Sequence, residues 1–472
     1  MTPAPAPAPA PQRRDASRPT PAAQGAAGAS APGRPPRRSR GGGGGGRGPG
    51  GPGGPGGQGG GRRNGGRGGR GPRDQRRMMR RPSPTSNKPR GADYFPAPAP
   101  DNVVRVIPLG GVEEVGRNMI ALETRGDIFV FDAGFQFVSE DESPGVDYLL
   151  PNTKYLEHNK DRVRAVFITH GHLDHIGGIP FVMNRFGNPP IYTMNLSAVM
   201  IAKRQEEYPD IPKPNLIVVE GHSTQTIGST KVRFFPVTHS IPDSMGIIVE
   251  TPYGNVIVTG DLKVEHVNDI PVPDEEKKWS EMGAQKNLLF IADSTSAELD
   301  GFSVPEQKVR ETLEEIIKTV KGRLIIGTFA SQFDRMVNII RLSEKYGKKI
   351  VMEGRSIKTN LEIAQKIGLL KLDKSTLISA QEIGDYPPDK IIILATGAQG
   401  EEFAALMRIA TKQHKNITFS DRDTVVLSSS VIPGNELSVQ KLKDNLLRNK
   451  VTLMHYRSAD VHSGGHARAA EL

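Results

Sequence analysis

His170-Gly171-His172-Leu173-Asp174-His175 packs three imidazoles and a carboxylate into six residues. It follows Ala165-Val166-Phe167-Ile168-Thr169, a short apolar run that reads as a buried strand, and precedes Ile176-Gly177-Gly178-Ile179-Pro180, where a new element can start. Imidazole with carboxylate suits zinc, manganese or iron. His170 and His172, two apart on an extended loop, can point at one ion, and Asp174 and His175 can face a second beside it. A polar loop at a strand end is the ordinary reading for a single histidine, but four ligand-type residues at this spacing favour a metal site.

The strand-then-polar rhythm continues on both sides. Met119–Thr124 and Ile128–Phe131 read as strands joined by a turn at Arg125-Gly126-Asp127, and Asp132-Ala133-Gly134 ends the second. Lys231–Val237 delivers Thr238-His239-Ser240. Gly246–Glu250 and Val256–Thr259 form a hairpin that ends at Gly260-Asp261, and Leu288–Ala292 ends at Asp293. From about Pro305 helices and strands alternate, which predicts a parallel, doubly wound α/β unit. Its helices are expected over 309–320, 331–346, 359–367 and 401–411, and its strands over 324–328, 349–352, 391–395 and 424–428. Val461-His462-Ser463-Gly464-Gly465-His466 reads as a return to the first sheet system, and a helix is expected to start near Leu472, where the chain is read as truncated.

Composition bounds the rest. The chain has 472 residues and no cysteine, so disulfides and thiolate sites are excluded and any metal must sit on His, Asp or Glu. No apolar run reaches membrane-spanning length and no signal peptide is visible, which together with the missing cysteines points to the cytoplasm. Residues 1–90 hold eighteen Arg and one Lys against two Asp, a net +17, so the remainder of a chain whose total is +10 carries −7. That segment alternates Pro and Ala over 2–11 and is Gly-Arg rich over 40–73. It cannot bury a core and is expected to be disordered. Arginines on a flexible glycine chain are similar to RGG-type segments that bind RNA, against the plainer reading of a solvated linker.

In chain order, Asp132, the His170–His175 cluster, His239 and Asp261 each follow a strand, and together they resemble the two-metal hydrolase branch of the metallo-β-lactamase superfamily. Asp293-Ser294-Thr295, Thr328-Phe329-Ala330-Ser331, Gly354-Arg355-Ser356, Thr396-Gly397-Ala398-Gln399-Gly400 and His462-Ser463-Gly464-Gly465-His466 narrow this to β-CASP nucleases. With Gly110-Gly111-Val112-Glu113-Glu114-Val115-Gly116-Arg117-Asn118 they most closely resemble the bacterial ribonuclease J family. The resemblance implies an α/β chain: an αββα metallo-β-lactamase sandwich over 96–304, a β-CASP insertion over 305–460, and a return segment over 461–472, preceded by the tail 1–95.

It also implies roles. His170, His172 and His239 would hold one Zn2+, Asp174 and His175 a second, and Asp261 would bridge them; Mn2+ or Mg2+ are alternatives. Asp132 would orient the ligand loop, although a turn-forming Asp before Ala-Gly is the competing reading. Two cations about 3.5–4 Å apart would supply the attacking hydroxide, with Asp174 as proton acceptor, His466 as acid and Asp293 orienting it. His462, Ser463, Gly464 and Gly465 would contact phosphate, and Ser331 and Arg355 would line a nucleotide pocket. The family's further histidine for the second metal finds no match here. Some relatives bind calcium near the segment that here holds Gly145 and Asp147. RNA is the implied substrate, cut from the 5′ end and internally, in rRNA maturation and mRNA decay, with a homodimer in the full-length form. The rivals are a DNA-directed β-CASP nuclease, a small-molecule metallohydrolase and a non-catalytic RNA-binding scaffold.

The tail generates its own test. Deleting residues 1–90 should weaken single-stranded RNA binding and flatten its log-log salt dependence by about 0.7 for each lost phosphate contact. Equal affinity and equal slope with and without the tail would favour an inert linker.

Overall fold

The computed structural model describes residues 95–138, 143–432 and 434–472, so the expectations for the tail up to residue 94 lie outside it. Its first layer pair forms because alternate residues of one strand face opposite ways. In the strand Asp127–Phe131, Phe129 and Phe131 face one side while Ile128 and Val130 face the other. The first sheet runs in the order Arg105–Gly110, Met119–Thr124, Asp127–Phe131, Val163–Phe167, Ile191–Thr193 and Leu216–Val218. It is antiparallel at its start and parallel from Asp127–Phe131 onward. The second sheet runs Asn287–Ile291, Gly254–Val258, Met245–Thr251, Thr230–Pro236 and Thr224–Ile227.

Phe129, Phe131, Phe167, Phe234, Ile247 and Val256 fill the space between the two sheets. On the outer face of the first sheet, Val130, Val166 and Ile168 meet Ile179, Val182 and Ile201 from the flanking helices. On the outer face of the second, Phe235, Ile248 and Ile257 meet Trp279 and Met282 of the helix Pro273–Gly283. The result is helix, sheet, sheet, helix. Asn287–Ile291 is an edge strand with Leu288, Leu289 and Phe290 all exposed.

The third sheet is wholly parallel, in the order Lys349–Glu353, Ile391–Ala395, Leu324–Thr328, Thr424–Ser428 and Thr452–His455. The helices Glu306–Thr319, Phe333–Lys345 and Arg355–Lys366 cover one face, and Ala405–Ala410 and Glu436–Arg448 the other. This is the doubly wound unit expected from the alternation after Pro305. No helix among the described residues is long and apolar enough to cross a membrane.

Several elements differ from expectation. The helix expected over 401–411 is only Ala405–Ala410, because Gly400 turns at φ +76 with its Cα packed on the Ser438 carbonyl, where a Cβ would lie 2.2 Å away. The helix expected from Thr359 begins at Arg355, after Gly354 at φ +121. No helix starts near the last residues; Arg468 instead bridges to Ser296, and the segment turns. Ahead of the first strand, Phe95 stacks on His158 at 4.6 Å, and the Ala99 N–H donates to Glu123 at 2.8 Å.

Glu123 is fully buried and also accepts from Tyr155 at 2.7 Å, from Arg105 at 2.8 Å and from Arg162. Truncating it leaves two arginines facing each other without a counter-charge. We expect Glu123→Ala to cost about 3–5 kcal/mol, read as a lower urea midpoint, and Tyr155→Phe only about 1 kcal/mol. Equal midpoints for parent and Glu123→Ala would refute a structural role for this network.

Candidate metal centre

The site is assembled at the carboxyl ends of strands from both sheets. Asp132, at the end of Asp127–Phe131, sits at φ +61, a left-handed conformation that a non-glycine residue holds only when its surroundings compensate. Here they do. Its Oδ1 accepts from the Thr169 N–H at 2.8 Å and its Oδ2 lies 2.8 Å from His175 Nδ1. The Thr169 hydroxyl also donates to Asp132 and lies 3.1 Å from His170 Nδ1. One carboxylate thus clamps both ends of the His170–His175 loop. Gly134 lets that loop approach, since a Cβ there would lie 1.5 Å from the Asp174 carbonyl.

These bonds determine where the imidazole protons lie. His239 Nδ1 donates to the Gly465 carbonyl at 2.7 Å, so its Nε2 carries a lone pair. His170 Nδ1 donates to the Thr169 hydroxyl, which spends its own proton on Asp132, so His170 Nε2 is also a lone pair. Burial, with the neighbouring histidines, pushes His170 well below its usual range, and burial pushes His239 down to about 3. His172 Nδ1 lies 3.0 Å from His170 Nε2 and 3.2 Å from His239 Nε2, while its own Nε2 is buried without a partner. A neutral ring has one N–H and cannot satisfy both neighbours and itself. A cation at the meeting point removes the conflict. Ligands around a tetrahedral Zn2+ at 2.0–2.1 Å are about 3.3 Å apart, close to the spacing seen.

Asp261 completes this set, with Oδ2 3.7 Å from His170 Nε2 and 3.8 Å from His239 Nε2. The same oxygen lies 3.3 Å from His175 Nε2, which is 3.4 Å from Asp174 Oδ2. Two ligand groups, His170/His172/His239/Asp261 and Asp174/His175/Asp261, therefore share one carboxylate. Burial would push the His175 ring down, but Asp261, Asp174 and Asp132 outweigh it and hold the ring protonated well above its usual range. In the same exchange His175, against the opposing effect of burial, holds Asp261 well below the carboxylate range.

His466 Nδ1 lies 2.7 Å from Asp293 Oδ2 and 4.0 Å from Asp261 Oδ2. Burial alone would lower this ring, but the hydrogen bond it donates to Asp293 and the carboxylates of Asp261, Asp293 and Asp174 raise it to about 9. Asp174, Asp261, Asp293 and His466 open into one cavity of about 420 Å3, which Gly111, Glu114 and Asn118 also line.

The remaining expected residues are placed unevenly. Gly465 gives its carbonyl to His239 and has no room for a side chain, since a Cβ would lie 2.5 Å from His239 Cε1. His462 and Ser463 are buried away from the cavity: His462 Nδ1 accepts from Arg335 at 2.8 Å, and Ser463 Oγ is held between Lys263 and the Val304 carbonyl. Those polar atoms are committed inside the protein, which leaves the backbone of Gly464 as the open part of the loop. Ser331 sits in the turn before Phe333–Lys345 and Arg355 is exposed at the first turn of its helix; neither lines the cavity. Gly145 and Asp147 join no ligand group among the described residues.

Asn118, at the end of the glycine-rich stretch 110–118, reaches the ligand loop in a way its local sequence does not show. Its Nδ2 lies 3.3 Å from Asp174 Oδ2 and 3.1 Å from His175 Nε2, and its backbone N–H donates to the Asp174 carbonyl at 3.0 Å. Thr169, read only as the end of a strand, is the other residue that the sequence left unassigned.

Metal should displace the His175 proton. Calorimetric titration with Zn2+ at pH 7, in buffers of different ionisation enthalpy, should report net proton release, and Asp261→Ala should lose most of the bound metal while keeping its fold. A heat independent of buffer, or two ions retained in Asp261→Ala, would contradict this geometry.

Comparison with known proteins agrees with this arrangement. Residues 112–318 match the metallo-beta-lactamase superfamily, and residues 321–446 match the family described as "Ribonuclease J, beta-CASP domain". Ribonuclease J of Mycobacterium tuberculosis is 36% identical over 80% of this chain and 67% of its own length, and that of Mycolicibacterium smegmatis is 35% identical over the same shares. Ribonuclease J of Mycoplasma pneumoniae is 35% identical over 78% of this chain, and the chain spans only 64% of that relative. A crystal structure of a protein of unknown function from Enterococcus faecalis shares the fold, with TM-score 0.54 at 15% identity, covering 76% of this chain and 88% of its own. The chain belongs to the ribonuclease J family, a metallo-β-lactamase fold carrying an inserted β-CASP domain.

Proposed function

We propose that this chain is a metal-dependent ribonuclease that hydrolyses phosphodiesters with water, removing nucleotides from the 5′ end and also cutting internally. The observation that carries the reading is the His466–Asp293 pair set against Asp261, the carboxylate shared by both ligand groups. It supports His466 as a proton donor beside the carboxylate around which phosphate charge would be neutralised. Family membership supports a nuclease over a small-molecule hydrolase or a scaffold, and RNA over DNA.

His170, His172 and His239 would hold one divalent cation and Asp174 and His175 another, with Asp261 between them; we assign Zn2+, with Mn2+ or Mg2+ as alternatives. When bound, such ions acidify water and offset charge on the phosphate. Asp174 is held below its usual range by His175, against burial, which keeps it ionised; we assign it as the acceptor of the attacking water's proton. The water oxygen bonds to phosphorus as the bond to the 3′ oxygen breaks. His466 donates to that oxygen from Nε2, because its Nδ1 is engaged by Asp293. The product keeps a 5′-phosphate. Asp132 orients the ligand loop through Thr169 and His175, and the open backbone of Gly464 meets the phosphate. The wider role we assign is rRNA maturation and mRNA decay in the cytoplasm, carried out as a homodimer.

The direct test compares RNA and DNA strands carrying 5′-monophosphate, 5′-triphosphate or 5′-hydroxyl ends; failure to cut any RNA with Zn2+, Mn2+ or Mg2+ supplied refutes the reading. His466→Ala should bind metal normally and slow kcat by about 10²–10⁴-fold, with partial recovery on a substrate with a better leaving group. The sign of the pH dependence follows from its raised value. His466 is protonated and competent as an acid below about 9, so kcat should fall as pH rises through that point, and bound cations move this limb lower. Asp293→Asn should shift the limb downward; a limb that stays in place would remove His466 as the acid.

A further inference from the structure

Arg335, on the helix Phe333–Lys345 of the inserted domain, is 1% exposed although it carries a full charge. Its Nε and Nη2 fork onto Glu306 at 3.2 and 2.6 Å. Its Nη1 donates to His462 Nδ1 at 2.8 Å and reaches the Ser428 carbonyl and hydroxyl at 3.4 Å, and its Nη2 reaches the Ser463 carbonyl at 3.4 Å. Ser428 in turn donates to the Val461 carbonyl at 2.6 Å. From the other side, the buried Lys263 Nζ holds Ser463 Oγ at 3.0 Å, and the Ala467 N–H donates to the Leu262 carbonyl at 2.7 Å.

The return segment is therefore clamped at both ends, and what it carries between the clamps is the Gly465 carbonyl on His239 and the His466 ring on Asp293. Burying a guanidinium costs several kcal/mol, and apolar residues of similar volume hold a core at least as well. What the charged fork adds is direction. Arginine can only donate, so it fixes His462 as an acceptor at Nδ1; burial and the guanidinium both hold that ring neutral.

We propose that Arg335 is a positioning residue for the reaction: by fixing His462 and Ser463 it sets where Gly465 and His466 stand, and so couples the inserted domain to the metal centre and to the proton donor. The activity arm of its test rests on the nuclease reading; the metal arm does not.

Arg335→Lys keeps the charge and loses the fork, and Glu306→Gln loosens the fork from outside. Both are measured in the full chain, alone and combined with His466→Ala. At unchanged circular dichroism, each should lower kcat on single-stranded RNA by about 10–100-fold with KM unchanged and lower zinc affinity, by competition with a chromophoric chelator, about tenfold. In the His466→Ala background the same substitutions should cost almost nothing more in kcat, because no acid remains to be misplaced. Additive losses across the cycle, or a zinc affinity equal to the parent's, overturn the proposal, and unfolding of both variants overturns it in favour of a purely structural role. Should the parent cleave no RNA, the nuclease reading fails and the zinc titration alone decides for or against Arg335.

Discussion

Three imidazoles, those of His170, His172 and His239, turn nitrogens toward one another beside the Asp261 carboxylate, and protons alone leave a nitrogen of His172 without a partner. Much of the surrounding structure is what this crowding requires. Asp132 accepts a strained backbone to hold the loop, Gly134 and Gly465 give up side chains so that backbone can come close, and the Thr169 hydroxyl and the Gly465 carbonyl aim two of the rings inward. Only small residues or hydrogen-bonding side chains fit these positions. The αββα sandwich contributes rigidity: the aromatic layer of Phe129, Phe131, Phe167 and Phe234 fixes the strands whose ends carry the ligands.

The fold was legible where periodicity and chain order agreed. The strands Leu324–Thr328, Ile391–Ala395 and Thr424–Ser428 match their expected limits, since short apolar runs between turn signals leave little choice. The helix Pro273–Gly283 was not foreseen. Trp279 and Met282 are its main apolar contacts with the core, so its apolar stripe is thin, although Pro273 and the acids that follow mark a helix start. The helix Glu436–Arg448 and the strand Thr452–His455, which close the third sheet, also went unassigned.

At the site, residue types and spacing pointed to His170, His172, Asp174 and His175, because few chemistries need so many imidazoles so close together, while His239 and Asp261 came in only with the family resemblance. Distances between residues far apart in the chain were not accessible that way. His462 and Ser463 looked like phosphate ligands because they share a short motif with His466, yet their polar atoms turn into the protein, toward Arg335 and Lys263. Asn118 lies 56 positions before Asp174, and nothing in its local sequence shows that its amide meets that carboxylate. Arg335 reads as an ordinary polar position on an amphipathic helix; its burial is a consequence of where the return segment crosses it.

The donor set is built from imidazoles and carboxylates in a chain without a single cysteine. Thiolate metal sites are opened by oxidants, because sulfur climbs an oxidation ladder that ends its ability to bind metal. No such route exists here. Ligands of this kind lose metal when protons compete for them, so acid, and not thiol oxidation, is what would empty such a centre.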